Sequence, residues 1–226
     1  MIIPKKCLIG CCFLCILLVE VQAQSTTIDN NAHIYSGRAY VGLRARLVGS
    51  VWVGGHHSLL GGIRFNDVDY DSVRIGYDLM RDEVVMTNPN EQLLTPAQEN
   101  VQAFSLEDRQ FHRLIGEERL LTGLPNQGFY ELLYDRDGTK LLVKRRGVLK
   151  ENHEQHYLRF SVVRSDSYYL VKGGHAFPLV GRLSIYRVYP TAKREAKRFA
   201  RQRQLDFKHD FERALLETLI FCEDIH

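Results

Sequence analysis

The feature that most constrains this chain is the repetition of tight-turn signals between short β-prone stretches. Residues 129–134 and 141–144 flank Asp135-Arg136-Asp137-Gly138-Thr139, and Lys172 and Ala176 flank Gly173-Gly174-His175. Glycine supplies the positive φ that two-residue hairpin turns require. Residues 72–79 and 83–87 flank Met80-Arg81-Asp82, while 157–163 and 168–172 flank Arg164-Ser165-Asp166-Ser167. Turns this short join antiparallel strands, whereas parallel strands need long crossovers. From about residue 39 to residue 181 the chain is therefore expected to form antiparallel sheet.

Further strands follow from alternation. Over 39–48, Val41, Leu43, Ala45 and Leu47 fall on one face and Tyr40, Gly42, Arg44 and Arg46 on the other. Residues 50–53 continue this pattern, 59–65 end at Asn66-Asp67, and 101–104 and 111–115 add two short stretches. Residues 88–96 read as a polar loop.

After Tyr189 the period changes. Pro190 suits the first turn of a helix. Ala192, Ala196, Phe199, Ala200 and Arg203 share one side; Lys193, Arg194, Lys197, Arg198 and Arg201 share the other. Asp206 can cap a second helix, in which Phe211, Leu215, Leu219 and Cys222 form a stripe widened by Leu216 and Ile220. The expected helices cover about 191–204 and 208–222. The expected fold is α+β: an antiparallel β domain over 24–189, sandwich-like or barrel-like, followed by two short C-terminal helices packing on it within 190–226. No internal repeat suggests a solenoid or propeller.

The start of the chain reads as an export signal. Lys5 and Lys6 precede an uncharged apolar run over 7–19, and Val21-Gln22-Ala23 offers a cleavage site. Leu8-Ile9-Gly10-Cys11 has the look of a lipidation box, but the apolar run continues past Cys11, which favours the simple signal. Cleavage after residue 23 would leave 203 of 226 residues with a formal charge near +2 and Cys222 as the sole cysteine. A disulfide scaffold and a multi-cysteine zinc site are then both excluded. The rest of the chain holds no apolar run long enough for a transmembrane helix. The expected location is periplasmic, outer-membrane-associated or secreted.

Several motifs resemble a group of exported β-rich proteins of Bacteroidota. They are Ile75-Gly76-Tyr77-Asp78, then Gly128-Phe129-Tyr130-Glu131-Leu132-Leu133-Tyr134-Asp135 followed by a basic strand at 140–146. Tyr168-Tyr169-Leu170-Val171-Lys172-Gly173-Gly174 comes next, and last Val188-Tyr189-Pro190 through Gln204-Leu205-Asp206-Phe207. The resemblance covers roughly residues 60–222 and implies export and this architecture. It implies no activity.

Motifs for chemistry are weak. In His153-Glu154-Gln155-His156 the histidines are three apart, not the four of a zinc-protease helix, and the segment leads into a strand. His56-His57 lacks a third ligand nearby. Asp67, Asp69 and Asp71, and Asp135 with Asp137, sit in turn-like stretches that do not complete a calcium loop. No Gly-x-Ser-x-Gly elbow occurs. No metal, cofactor or catalytic residue is therefore assigned.

The basic face of Lys193, Arg194, Lys197, Arg198 and Arg201 is the candidate binding surface. The plain alternative is a solvated helix face. As a functional surface it would attract an envelope protein or an anionic membrane surface, where each cation can add about 1 kcal/mol. Nucleic acid is not expected, because no known binding module is present. The expectation is a non-enzymatic envelope binding module; the alternative is a hydrolase-type enzyme whose site is assembled from scattered residues.

Overall fold

A computed structural model describes residues 34–43, 47–117, 123–154 and 157–225, with side chains omitted at 152–154, 157 and 158. The expected export signal lies outside the described residues, as do Arg44, Ala45 and Arg46.

Fourteen strands are described. β1 is Gly37–Ala39, β2 Leu47–Val48, β3 Leu59–Phe65, β4 Val68–Asp78, β5 Glu83–Thr87, β6 Leu93–Pro96 and β7 Val101–Leu106. β8 is Arg109–Leu114, β9 Gly128–Arg136, β10 Thr139–Lys144, β11 Gly147–Glu154, β12 Tyr157–Arg164, β13 Ser167–Lys172 and β14 His175–Leu179. Three helices close the chain: α1 Arg182–Val188, α2 Lys193–Gln202 and α3 Phe211–Asp224.

Eleven strands form one antiparallel sheet in the order β1-β6-β5-β4-β3-β7-β8-β9-β10-β13-β14. Two meanders meet at the β3–β7 seam, where Ile63 faces Phe104. The sheet is open: three-residue β1 and β14, which carries Pro178, are its edges.

It is also strongly curled. Tyr77 on β4 and Phe129 on β9 are four strand positions apart, about 19 Å in a flat sheet. Their ring centroids lie 5.9 Å apart instead, with Phe104 and Phe111 stacked at 4.5 Å beside them. The curl gives sandwich-like layering without closing a barrel. Along β4, Val73, Ile75 and Tyr77 alternate into this first core as the sequence period demands.

The second half of the sheet is covered by the helices. Leu141 and Leu170 face Ile185, Tyr186, Tyr189, Ala192, Ala196, Leu215, Leu219 and Cys222. Leu142, Tyr169 and Val171 turn to the opposite face, where Tyr130, Leu114 and Leu124 meet them. A register shift between Leu141 and Leu142 skips Leu133, and both Leu133 and Tyr134 then pack on the helical side. Ala192, Ala196 and Ala200 are buried, and Phe199 stacks on Phe221 at 4.3 Å. Arg203 departs from the expected apolar side: it is exposed, with its guanidinium 5.8 Å from the Phe199 ring centroid.

Other departures have physical causes. Residues 39–48 are not one strand but the separate β1 and β2, and 50–53 form a bridge at Trp52 to Asp78 followed by a 3-10 turn. The expected polar loop over 88–96 contains β6, which Asn88 sets up by accepting bonds from the backbone N–H groups of Asn90 and Gln92. β12 does not pair with β13. It pairs with β11 and, in parallel, with β2, while β13 pairs with β10. α1 lies within the expected β domain over 24–189, where no helix was expected. It forms because Ile185, Tyr186 and Tyr189 reach the core at helical spacing, and it ends just before Pro190.

Cys222, buried in the helical core, is the free cysteine among the described residues. Burial pushes its thiol up to about 11. A thiol reagent at neutral pH is expected to leave Cys222 unlabelled in the native protein and to react with it as urea unfolds the chain. Rapid native labelling would show that the helical cap opens locally.

Candidate functional site

The described residues bring charged groups together in three places, two of them largely buried. The first lies where β9, β10 and α3 meet. Arg109 grips Glu131 through Nε and Nη2 at 2.7 and 2.6 Å. Arg145 bonds Glu131, reaches Asp166 at 2.8 Å, and pairs with Glu212 of α3 at 2.6 Å. The Tyr168 hydroxyl donates to Glu212 at 2.9 Å. Burial disfavours the Glu131 carboxylate, but the two guanidinium groups outweigh it and hold its carboxyl below the usual range. At Asp166, burial is likewise outweighed by Arg145 and Arg164.

The second cluster closes the curl of the sheet. Lys144 Nζ donates to Asp82 at 2.6 Å and to the Phe129 carbonyl at 3.0 Å, and the Tyr77 hydroxyl donates to Asp82. Burial lowers the Lys144 ammonium below its ordinary value, with Asp82 partly offsetting it. A lysine so shifted can act as a nucleophile when substrate reaches it. Here its side chain is only 1% exposed and Gly128 lies directly against it and Asp82. The side chains of Arg145 and Glu131 are 6% and 4% exposed. The central groups of both clusters are buried and internally paired, with only Asp82 and Glu212 about a third exposed, which is the arrangement of a clasp rather than of an open site.

The third group is open. A cleft of about 810 Å³ lies between α1, α2 and the chain leading to α3. Arg182, Lys197, Arg201 and Lys208 line it with Leu183, Tyr186 and Phe207. Tyr186 forms part of the floor, with Lys197 Nζ 5.9 Å from its ring centroid. Among the described residues, none of these four cations makes an ion pair; Asp206 in the lining is engaged instead by His209 and the backbone N–H of Lys208. Asp206 is held down to about 2 by these hydrogen bonds, that from His209 first.

The five cations expected from sequence are all exposed on α2. At about 100° per residue they span an arc of about 140°. Lys197 and Arg201 line the cleft, whereas Lys193, Arg194 and Arg198 extend the charge beyond it. Arg182 and Lys208 come from neighbouring elements and were not expected. Their signal was regional: from Arg182 to Lys208 the sequence holds nine cations and two acids.

Of the metal candidates, His153 and Glu154 end β11, and Gln155 and His156 lie outside the described residues. His56 and His57 are exposed, the latter ring 6.2 Å from Trp52. Among the described residues no helix is long and apolar enough to cross a membrane. No family model matches the chain, and no curated protein or solved structure matches it either.

Proposed function

We propose that this chain is an exported envelope protein that acts by binding, and that its helical cap holds an anionic envelope component in the cationic cleft. The observation that carries this reading is the convergence of Arg182, Lys197, Arg201 and Lys208, none of them in an ion pair among the described residues, on one concavity with an aromatic floor. Cations gathered without internal partners raise the local positive potential and favour an anionic visitor. The leading segment over 1–23, with Lys5, Lys6 and the apolar run, supports an envelope location.

Inositol hexakisphosphate, a soluble polyanion, serves as the probe in titration calorimetry at low salt. The wild-type protein is expected to bind it with an affinity that falls as salt rises. The triple variant Arg182→Glu, Lys197→Glu, Arg201→Glu is expected to bind at least about tenfold more weakly, since three favourable charges become repulsive. Equal affinity in the triple variant would remove the cleft from the reading.

A further inference from the structure

The region beside the cleft carries a second, apolar feature. Val180 is 90% exposed and Leu183 is 61% exposed, and neither belongs to a buried cluster. They stand on either side of Gly181 and Arg182, Val180 just after β14 and Leu183 in the first turn of α1. Leu183 lines the cationic cleft. Val180 lines an adjoining cleft of about 410 Å³, and Phe207 lines both. Val180, Leu183 and Phe207 thus mark an apolar ridge between two concavities, with Arg182, Lys197, Arg201 and Lys208 on its flank.

We propose that the anionic partner is the surface of a lipid bilayer, with the Val180–Leu183 segment entering the acyl boundary while the surrounding cations meet headgroup phosphates. This rests on the reading of the cleft as an anion site. A small exposed apolar wedge flanked by long cationic side chains matches the layered chemistry of a membrane interface, apolar inside and anionic at the rim. Lysine and arginine stems lie along apolar matter and place their charges at the polar boundary.

Two observations favour a bilayer over an acidic protein. The wedge joins a residue after β14 to one in the first turn of α1, lining two different concavities, so it suits an acceptor that deforms around it; a protein partner would need a matching socket. The charge also runs past the cleft through Lys193, Arg194 and Arg198, all exposed on the same arc of α2. One bound group in the cleft would leave those three unused, whereas an extended anionic plane engages them together.

The test compares sedimentation with vesicles of phosphatidylcholine alone and of phosphatidylcholine mixed with phosphatidylglycerol. The protein is used as recovered from expressing cells. Wild type and variants share one N-terminus, so differences between them report on this surface. Wild type is expected to bind the anionic vesicles and not the neutral ones. The variant Val180→Ser, outside the cationic cleft, is expected to lose about tenfold in partitioning. It should keep wild-type affinity for inositol hexakisphosphate and an unchanged thermal melt. The triple cleft variant is expected to lose both activities. If wild type binds the soluble polyanion but not the anionic vesicles, or if the serine variant partitions like wild type, the membrane proposal is overturned and the cleft reading stands. Binding to neither probe sinks both.

Discussion

Replacing Arg145 with alanine is expected to lower the free energy of unfolding by about 3 kcal/mol, the lower end for breaking a buried ion pair from one side. Arg145 joins β9, the segment between β12 and β13, and α3 through Glu131, Asp166 and Glu212. Its removal leaves Glu131, 4% exposed, paired with Arg109 alone and Asp166, 13% exposed, paired with Arg164 alone among the described residues; Glu212, at 36%, can rehydrate and adds little. Urea unfolding followed by circular dichroism measures the loss. A loss below about 1 kcal/mol, the value of a solvent-screened pair, would refute the clasp.

The same network fixes an acid limb. The carboxyls of Glu131 and Asp166 are held below their ordinary values when folded. Their contribution is thus fully present above the ordinary carboxylate range and is lost as pH falls through the lower folded values. The gap between wild type and the Arg145 variant should therefore narrow as pH falls below about 4.

The second large effect is at the seam. A Cβ at Gly61 would lie 2.0 Å from the Ser105 carbonyl oxygen, a backbone atom in the β3–β7 ladder. Gly61→Ala is expected to cost about 3 kcal/mol, the upper end for overpacking, because relief requires parting the two meanders. At Gly62 the nearest atom is the Asp71 carboxylate oxygen at 3.2 Å, the end of a side chain that can swing away. Gly62→Ala is expected to stay within about 0.5 kcal/mol of wild type. Equal effects at these neighbouring positions would show that the seam yields.

What could be read from the residues was local. Asp137 and Gly138 take φ of 50° and 77°, and Gly173 and Gly174 take 57° and 77°, so both hairpins follow from turn chemistry alone. The alanine stripe of α2 followed from its period. The pairing of β12 with β2 involves strands more than a hundred residues apart, and no local pattern announces it. β6 is four residues long, too short to show a period. In α1, Ile185, Tyr186 and Val188 have strand propensity, and tertiary burial overrides it. The site divides the same way. Lys197 and Arg201 were visible as one turn of a helix, while Arg182 and Lys208 join them only through folding. The Arg145 clasp, built from four separate segments, left no trace in spacing.

The rims of the sheet bear on how the molecule meets copies of itself. A broad open sheet invites further strands at each margin, which is a route to fibrils. Here one margin offers three residues of backbone and the other is interrupted by Pro178, which has no N–H to give. Self-templated growth is thus discouraged at both ends of the eleven-stranded sheet.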